Sequence, residues 1–145
     1  MEKDTKKWEQ RYENFAKALQ KLTQAVEYIR QNIGSGHNET ESTWYIRDEI
    51  LKDGLIYRFK FTHEMASNTI RDFAEAHGSY GIKGSKDATR EALKYKLIDN
   101  GEVWIDMVMS RTNAYSADEI YSRIMTDYYP AFTYLAKNLE SAMSR

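Results

Sequence analysis

The sequence predicts an all-α fold: an up-and-down antiparallel helical bundle of three long and two short helices, in a single domain over residues 1–145. Three observations lead there. Residues 44–77 form one long stretch in which Leu51, Leu55, Phe59, Thr62, Ala66, Ile70 and Phe73 recur at steps of three or four, the repeat of one helix face. Residues 6–32 hold a second stretch with an unbroken heptad seam. One Pro and seven Gly in 145 residues leave too few turn signals for a protein of many short strands.

Each element has its own signal. In the first helix Trp8, Tyr12, Phe15, Leu19, Leu22, Val26, Ile29 and Ile33 step by four and three alternately, with Lys, Glu, Gln and Arg between them. Gly34 suits the residue just past the helix end. Residues 34–43 are small and polar and read as a surface loop, with His37 in solvent. The central helix follows. Ile56 and Phe61 fall off its main apolar line, which predicts burial on more than one side near its middle. Gly54 costs about 1 kcal/mol relative to Ala in a helix interior, so a close helix approach or a local bend is expected there.

After Gly78 a Gly-punctuated loop leads to a short helix, with Ser85 as its expected cap and Asp87 in its first turn. Asp99 and Glu102 have capping-box spacing before a second short helix, whose apolar face is Val103, Trp104, Met107 and Val108. A second capping box, Ser116 with Glu119, opens the last helix, where Ile120, Ile124, Tyr128, Phe132, Leu135 and Leu139 face one way. Pro130 lies inside that helix and predicts a kink near residues 127–129. The expected core includes Trp8, Phe15, Leu19, Leu22, Val26, Leu55, Phe59, Phe73, Trp104 and Leu135.

Composition excludes several classes. Zero Cys rules out disulfides and thiolate metal sites, and no spacing of His, Asp or Glu suggests a metal or cofactor. A net charge of −1 gives no overall pull toward nucleic acid. No apolar run approaches the ~18 residues that span a bilayer, and the first ten residues are too charged for a secretory leader, so a cytoplasmic protein without membrane contact is expected. There is no phosphate-cradling loop, zinc helix or nucleophile elbow. On the central helix, Arg58 and Glu64 are placed for a buried or half-buried ion pair. His63 reads as a satisfied core histidine, and His77 as a helix-end residue.

The order of motifs carries more than any one of them. The chain holds K-W-E-Q-R-Y-E-N-F-A-K-A-L-Q-K-L, then D-G-L-I-Y-R-F-K-F-T-H-E-M-A, G-S-K-D-A-T-R-E-A-L-K-Y-K-L-I, D-N-G-E-V-W-I-D-M and I-Y-S-R-I-M-T-D-Y-Y-P-A-F in that order. Over roughly residues 8–139 this resembles the nucleotidyltransferase substrate-binding protein family within the HEPN superfamily. The resemblance implies a helical bundle that forms a homodimer, and a separately encoded minimal nucleotidyltransferase as partner. In related pairs of the MntA/HepT kind, the helical protein is a toxin ribonuclease that its partner silences by adding AMP to a tyrosine.

Ribonuclease members carry an Arg, often followed by Asn, then a His and a Tyr. The matching stretch here is S-R-T-N-A-Y-S at residues 110–116. The resemblance therefore makes Arg111, Asn113 and Tyr115 the candidate nucleotide- or RNA-binding residues, with Arg111 facing a cleft between protomers. Contacts between protomers are expected around residues 107–115 and the last helix. This chain departs from the pattern: no His follows Arg111, and the connection to the last helix is short. Arg111 stays protonated and cannot replace an imidazole as base. No catalytic residue is therefore assigned. The expectation is a non-catalytic substrate-binding or regulatory subunit. The alternatives are a HepT-like ribonuclease with a degenerate site, AMPylated by its partner, and a purely structural dimer. Asp106 and Asp118 stand near Arg111 as ordinary surface partners.

Overall fold

The computed structural model describes residues 2–33 and 41–143, with the side chains of 7–33 and 45–143. The expectations for Gly34 and His37 lie outside the described residues. The helices are α1 (Glu2–Asn32), α2 (Glu41–Ala76), α3 (Gly84–Lys94), α4 (Gly101–Arg111), α5 (Ala117–Arg123) and α6 (Tyr129–Met143), with a π-helical turn (Ile124–Tyr128) joining the last two. No strand occurs among the described residues. The central helix begins at Glu41, so the end of the expected loop is helical.

Cross-helix bonds give the directions. Arg11 on α1 bonds Asp72 on α2, while Arg58 donates to the Lys21 carbonyl and Arg47 to the Asn32 carbonyl. Early α1 therefore meets late α2, an antiparallel pair. Tyr12 bonds Glu140 and Thr23 bonds Tyr129, so α6 also runs against α1. Asn138 donates to the Leu97 carbonyl just before α4, and Arg123 reaches Asp106 within it, so α4 opposes α5–α6. Alternation thus holds for α1, α2, α4 and α5–α6. The short α3 lies beside α2 in the same direction, with Ser85 near Ser67 and Tyr95 bonded to the His77 carbonyl.

All ten of the expected core residues are buried. Phe59 stacks on Tyr128 with ring centroids 4.9 Å apart, and Phe132 meets Phe15 and Trp104 edge-on. Asp72 is buried between α1 and α2, with Arg11 at 2.9 Å, Arg71 at 3.5 Å and Lys7 at 3.8 Å around it.

Several local expectations are corrected. Phe61 is 46% exposed, because α1, α4 and α5–α6 cover only one side of α2. A Cβ at Gly54 would meet nothing within 4 Å, so no close helix approach within this chain requires the glycine. Arg58 and Glu64 do not pair: Arg58 is turned to the α1 carbonyl, and Glu64 is exposed. Lys83, not Ser85, is the N-cap of α3. Its backbone N–H donates to Asp87, which also takes Arg90, so the cap comes from inside the helix. Asn100 rather than Asp99 caps α4, accepting from the Val103 N–H.

The Ser116–Glu119 capping box is present. The Pro130 kink takes the form of the π turn. Pro130 has no N–H to donate and its ring crowds the preceding turn, so the helix widens there and the Tyr129 N–H reaches back to the Ile124 carbonyl. Ile120, Ile124, Tyr128 and Phe132 recur every four residues, more than the 3.6 of a regular α-helix. The wide turn absorbs that excess and keeps all four buried.

Candidate functional site

The C-terminal half of α4 and the loop after it gather the titratable groups. Asp106 and Ser110 are one turn apart and share a face. The Tyr128 hydroxyl, aimed at them by the π turn, donates to Asp106 Oδ2 at 2.6 Å. Tyr128 has one hydrogen, so the 2.6 Å contact between the Ser110 and Tyr128 hydroxyls is donated by the buried Ser110. Tyr115 donates to Asp106 Oδ1 at 2.5 Å and Arg123 to Oδ2 at 2.8 Å. The Arg123 guanidinium also covers the Tyr115 ring, 4.1 Å from its centroid.

Burial pushes the Asp106 carboxyl upward, but the hydrogen bonds from Tyr115, Tyr128 and Arg123 outweigh it and hold it below the ordinary carboxylate range. The same bond raises the Tyr115 phenol, and burial with Asp106 raises Tyr128. Both hydroxyls therefore stay protonated donors at neutral pH.

Arg111, in the last turn of α4, faces the other way. Its Nη1 donates to His63 Nδ1 on α2 at 3.1 Å. His63 is 1% exposed and lies between the Phe59 and Trp104 rings, at centroid distances of 6.2 and 6.0 Å. Burial, and then the Arg111 charge, push its pKa from 6.5 down to about 3. The imidazole is neutral, with its proton on Nε2, and Nε2 has no partner among the described residues. His63 is thus a core histidine, as read, but only half satisfied.

The structure separates the three candidate residues. Arg111 is half-buried against His63, Tyr115 belongs to the Asp106 network, and Asn113 is exposed at φ +64, a left-handed conformation that Asn tolerates. Neither carboxylate offered as a partner for Arg111 takes it, since Asp106 binds Arg123 and Asp118 pairs with Lys52 at 3.5 Å. Sequence reading missed His63 because 48 residues separate it from Arg111, and no local spacing signals that contact. It missed the Asp106 cluster because the π turn delivers Tyr128 to it. A hollow of about 390 Å³ between α3 and α4 is lined by Leu93, Ile105 and Met109 together with Arg90 and Asp106.

Among the described residues no helix is long and apolar enough to cross a membrane. A comparison with curated proteins returns no match. A family model described as nucleotidyltransferase substrate binding protein like matches residues 10–141, from α1 through α6 and across Arg111, Asn113 and Tyr115. With nearly its whole length matched and an all-helical bundle carrying the matched segments, the chain belongs to the nucleotidyltransferase substrate binding protein like family.

Proposed function

We propose that this chain is the non-catalytic substrate-binding or regulatory subunit of a separately encoded minimal nucleotidyltransferase. It is a HEPN-type cytoplasmic homodimer that takes the phosphate of a nucleotide or RNA at Arg111, with Asn113 and Tyr115 on the same α4–α5 loop. The observation that carries the reading is the pairing of Arg111 with a neutral imidazole. A carboxylate in that place would cancel the guanidinium charge, whereas His63 orients it and leaves the charge for an anion. The carboxylates that could compete are committed to Arg123 and Lys52.

The same geometry disfavours the ribonuclease alternative. His63 is the imidazole beside Arg111, and it is buried with its pKa pushed to about 3. A base that weak does not deprotonate a ribose hydroxyl near neutral pH. Two measurements test the reading. Co-expression with a minimal nucleotidyltransferase encoded near this chain should give a complex that survives purification. Titration of the chain with ATP and with a short RNA should give binding that Arg111→Ala weakens by about 1–3 kcal/mol. Equal binding by wild type and Arg111→Ala removes Arg111 from the site.

A further inference from the structure

The solvent side of α2 carries an ordered apolar stripe. Ile46, Ile50, Gly54, Tyr57 and Phe61 follow one another by 4, 4, 3 and 4 residues, so they share one helix face. They lie opposite the core line of Leu55, Phe59 and Ala66. The four large side chains are 57%, 64%, 71% and 46% exposed. Scattered exposed apolar residues need no explanation, but a continuous helical stripe of them marks an interaction surface. At its centre sits Gly54, a glycine that destabilises the helix and that no contact within the chain requires.

Two hollows meet at Gly54. One, about 310 Å³, includes Tyr28, Ile50, Leu51 and Leu55. The other, about 490 Å³, includes Ala18, Lys21, Tyr57 and Phe61.

The stripe matches itself in reverse. Gly54 stands, to within one residue, midway between Ile46 and Phe61 and also between Ile50 and Tyr57. Glu49 and Lys60 have their midpoint one residue further along, again within one residue of Gly54. They are eleven residues apart, three helical turns, and so lie on the same flank of the stripe. Two copies of α2 crossing antiparallel at Gly54 would set Ile46 against the partner's Phe61, Ile50 against the partner's Tyr57, and Glu49 against the partner's Lys60, each twice. A parallel two-fold would put the two flanks on opposite sides of the seam; only the antiparallel one brings Glu49 and Lys60 together. This is the pattern of an isologous interface, in which one patch is its own complement.

We propose that the exposed face of α2 is where two copies of this chain join, antiparallel about a two-fold axis at Gly54. The proposal rests on the homodimer reading above, moves its contacts from residues 107–115 and the last helix to α2, and gives them a register. The absent side chain at Gly54 lets the two backbones approach, and each partner's Tyr57 enters the hollow beside Ile50. Around α2, the Glu49–Lys60 flank lies between the stripe and His63. The interface margin therefore points toward α4, and Arg111 borders the groove between protomers.

Sedimentation of the full chain tests this at low salt, where surface charge pairs are least screened. Wild type should be a dimer. Gly54→Leu should be monomeric at the same concentration with unchanged helical circular dichroism, because its side chain enters open space in the single chain. Glu49→Lys alone and Lys60→Glu alone should each weaken self-association about tenfold. An equimolar mixture of the two should recover the wild-type constant as a heterodimer, since both cross pairs are again opposite in sign.

A monomeric wild type overturns both the homodimer reading and this face. A wild-type dimer unmoved by Gly54→Leu and by the charge changes overturns the face and leaves the homodimer reading standing. Variants that stay dimeric but no longer retain the nucleotidyltransferase overturn it in favour of the enzyme as occupant.

Discussion

Arg111 Nη1 and His63 Nδ1 meet at 3.1 Å across 48 residues of sequence, joining the end of α4 to the buried face of α2. The bond ties a charged group at the protein's edge to a neutral one in its core. Substitutions at either end therefore have consequences for both stability and binding.

Arg111→Ala leaves the buried His63 Nδ1 without a donor. The loss of that bond, with Nε2 already unpartnered, should cost about 1–3 kcal/mol of folding stability, the scale for an orphaned buried polar group. Urea denaturation checks it. A variant as stable as wild type would mean that the His63–Arg111 contact contributes nothing in solution.

His63 also makes stability depend on pH. Its pKa is 6.5 when exposed and about 3 when folded, so between those values the unfolded chain binds a proton that the folded chain refuses. Stability rises with pH through this window. The contribution is whole above about 6.5 and is lost progressively as pH falls toward 3. Within that window the slope tends toward the limit of one proton released per chain on folding. His63→Phe removes the titrating group and should flatten that slope, which thermal melts stepped through the window against wild type would show.

His63→Phe should also separate orientation from charge. The ring fills the space between Phe59 and Trp104 and removes the unpartnered Nε2, so the fold should persist. Arg111 loses its acceptor, and nucleotide affinity should fall about tenfold, the scale of one lost hydrogen bond to a charged group. Undiminished affinity in a titration would show that Arg111 needs no help from His63.

In the Asp106 cluster, Asp106→Asn removes the carboxylate that holds Tyr115 and Tyr128 protonated. Both phenols should titrate closer to the ordinary tyrosine value, visible as an earlier rise of phenolate absorbance in an alkaline titration. Tyr115→Phe in the same background assigns the part due to Tyr115.

The core itself gives the largest effect. Phe59 is fully buried and stacked on Tyr128, and Phe59→Ala should cost about 3–5 kcal/mol, as large cavities do. Chemical denaturation reads this directly.

Local periodicity and the order of motifs along the chain carry one part of this protein. The heptad seam of α1, the face of α2 from Leu55 to Phe73, the Ser116 capping box and the all-helical class were legible because each depends on residues within a few turns of one another. The position of Pro130 announced an irregular helix for the same reason. Family membership was legible because motifs in the right order survive without coordinates.

Tertiary structure decided what depends on distance in space. It turned Arg58 toward the Lys21 carbonyl instead of Glu64, and it left Phe61 and Gly54 on an open face because the other helices cover only one side of α2. It shifted the caps of α3 and α4 by a residue or two, since backbone geometry and not side-chain type alone chose Lys83 over Ser85 and Asn100 over Asp99. It also joined His63 to Arg111 and bound Asp106 to Tyr115, Arg123 and Tyr128. Those contacts follow from the packing of α4 between α2 and the widened turn before Pro130, and a linear pattern holds no record of which side chains such packing brings within hydrogen-bonding distance.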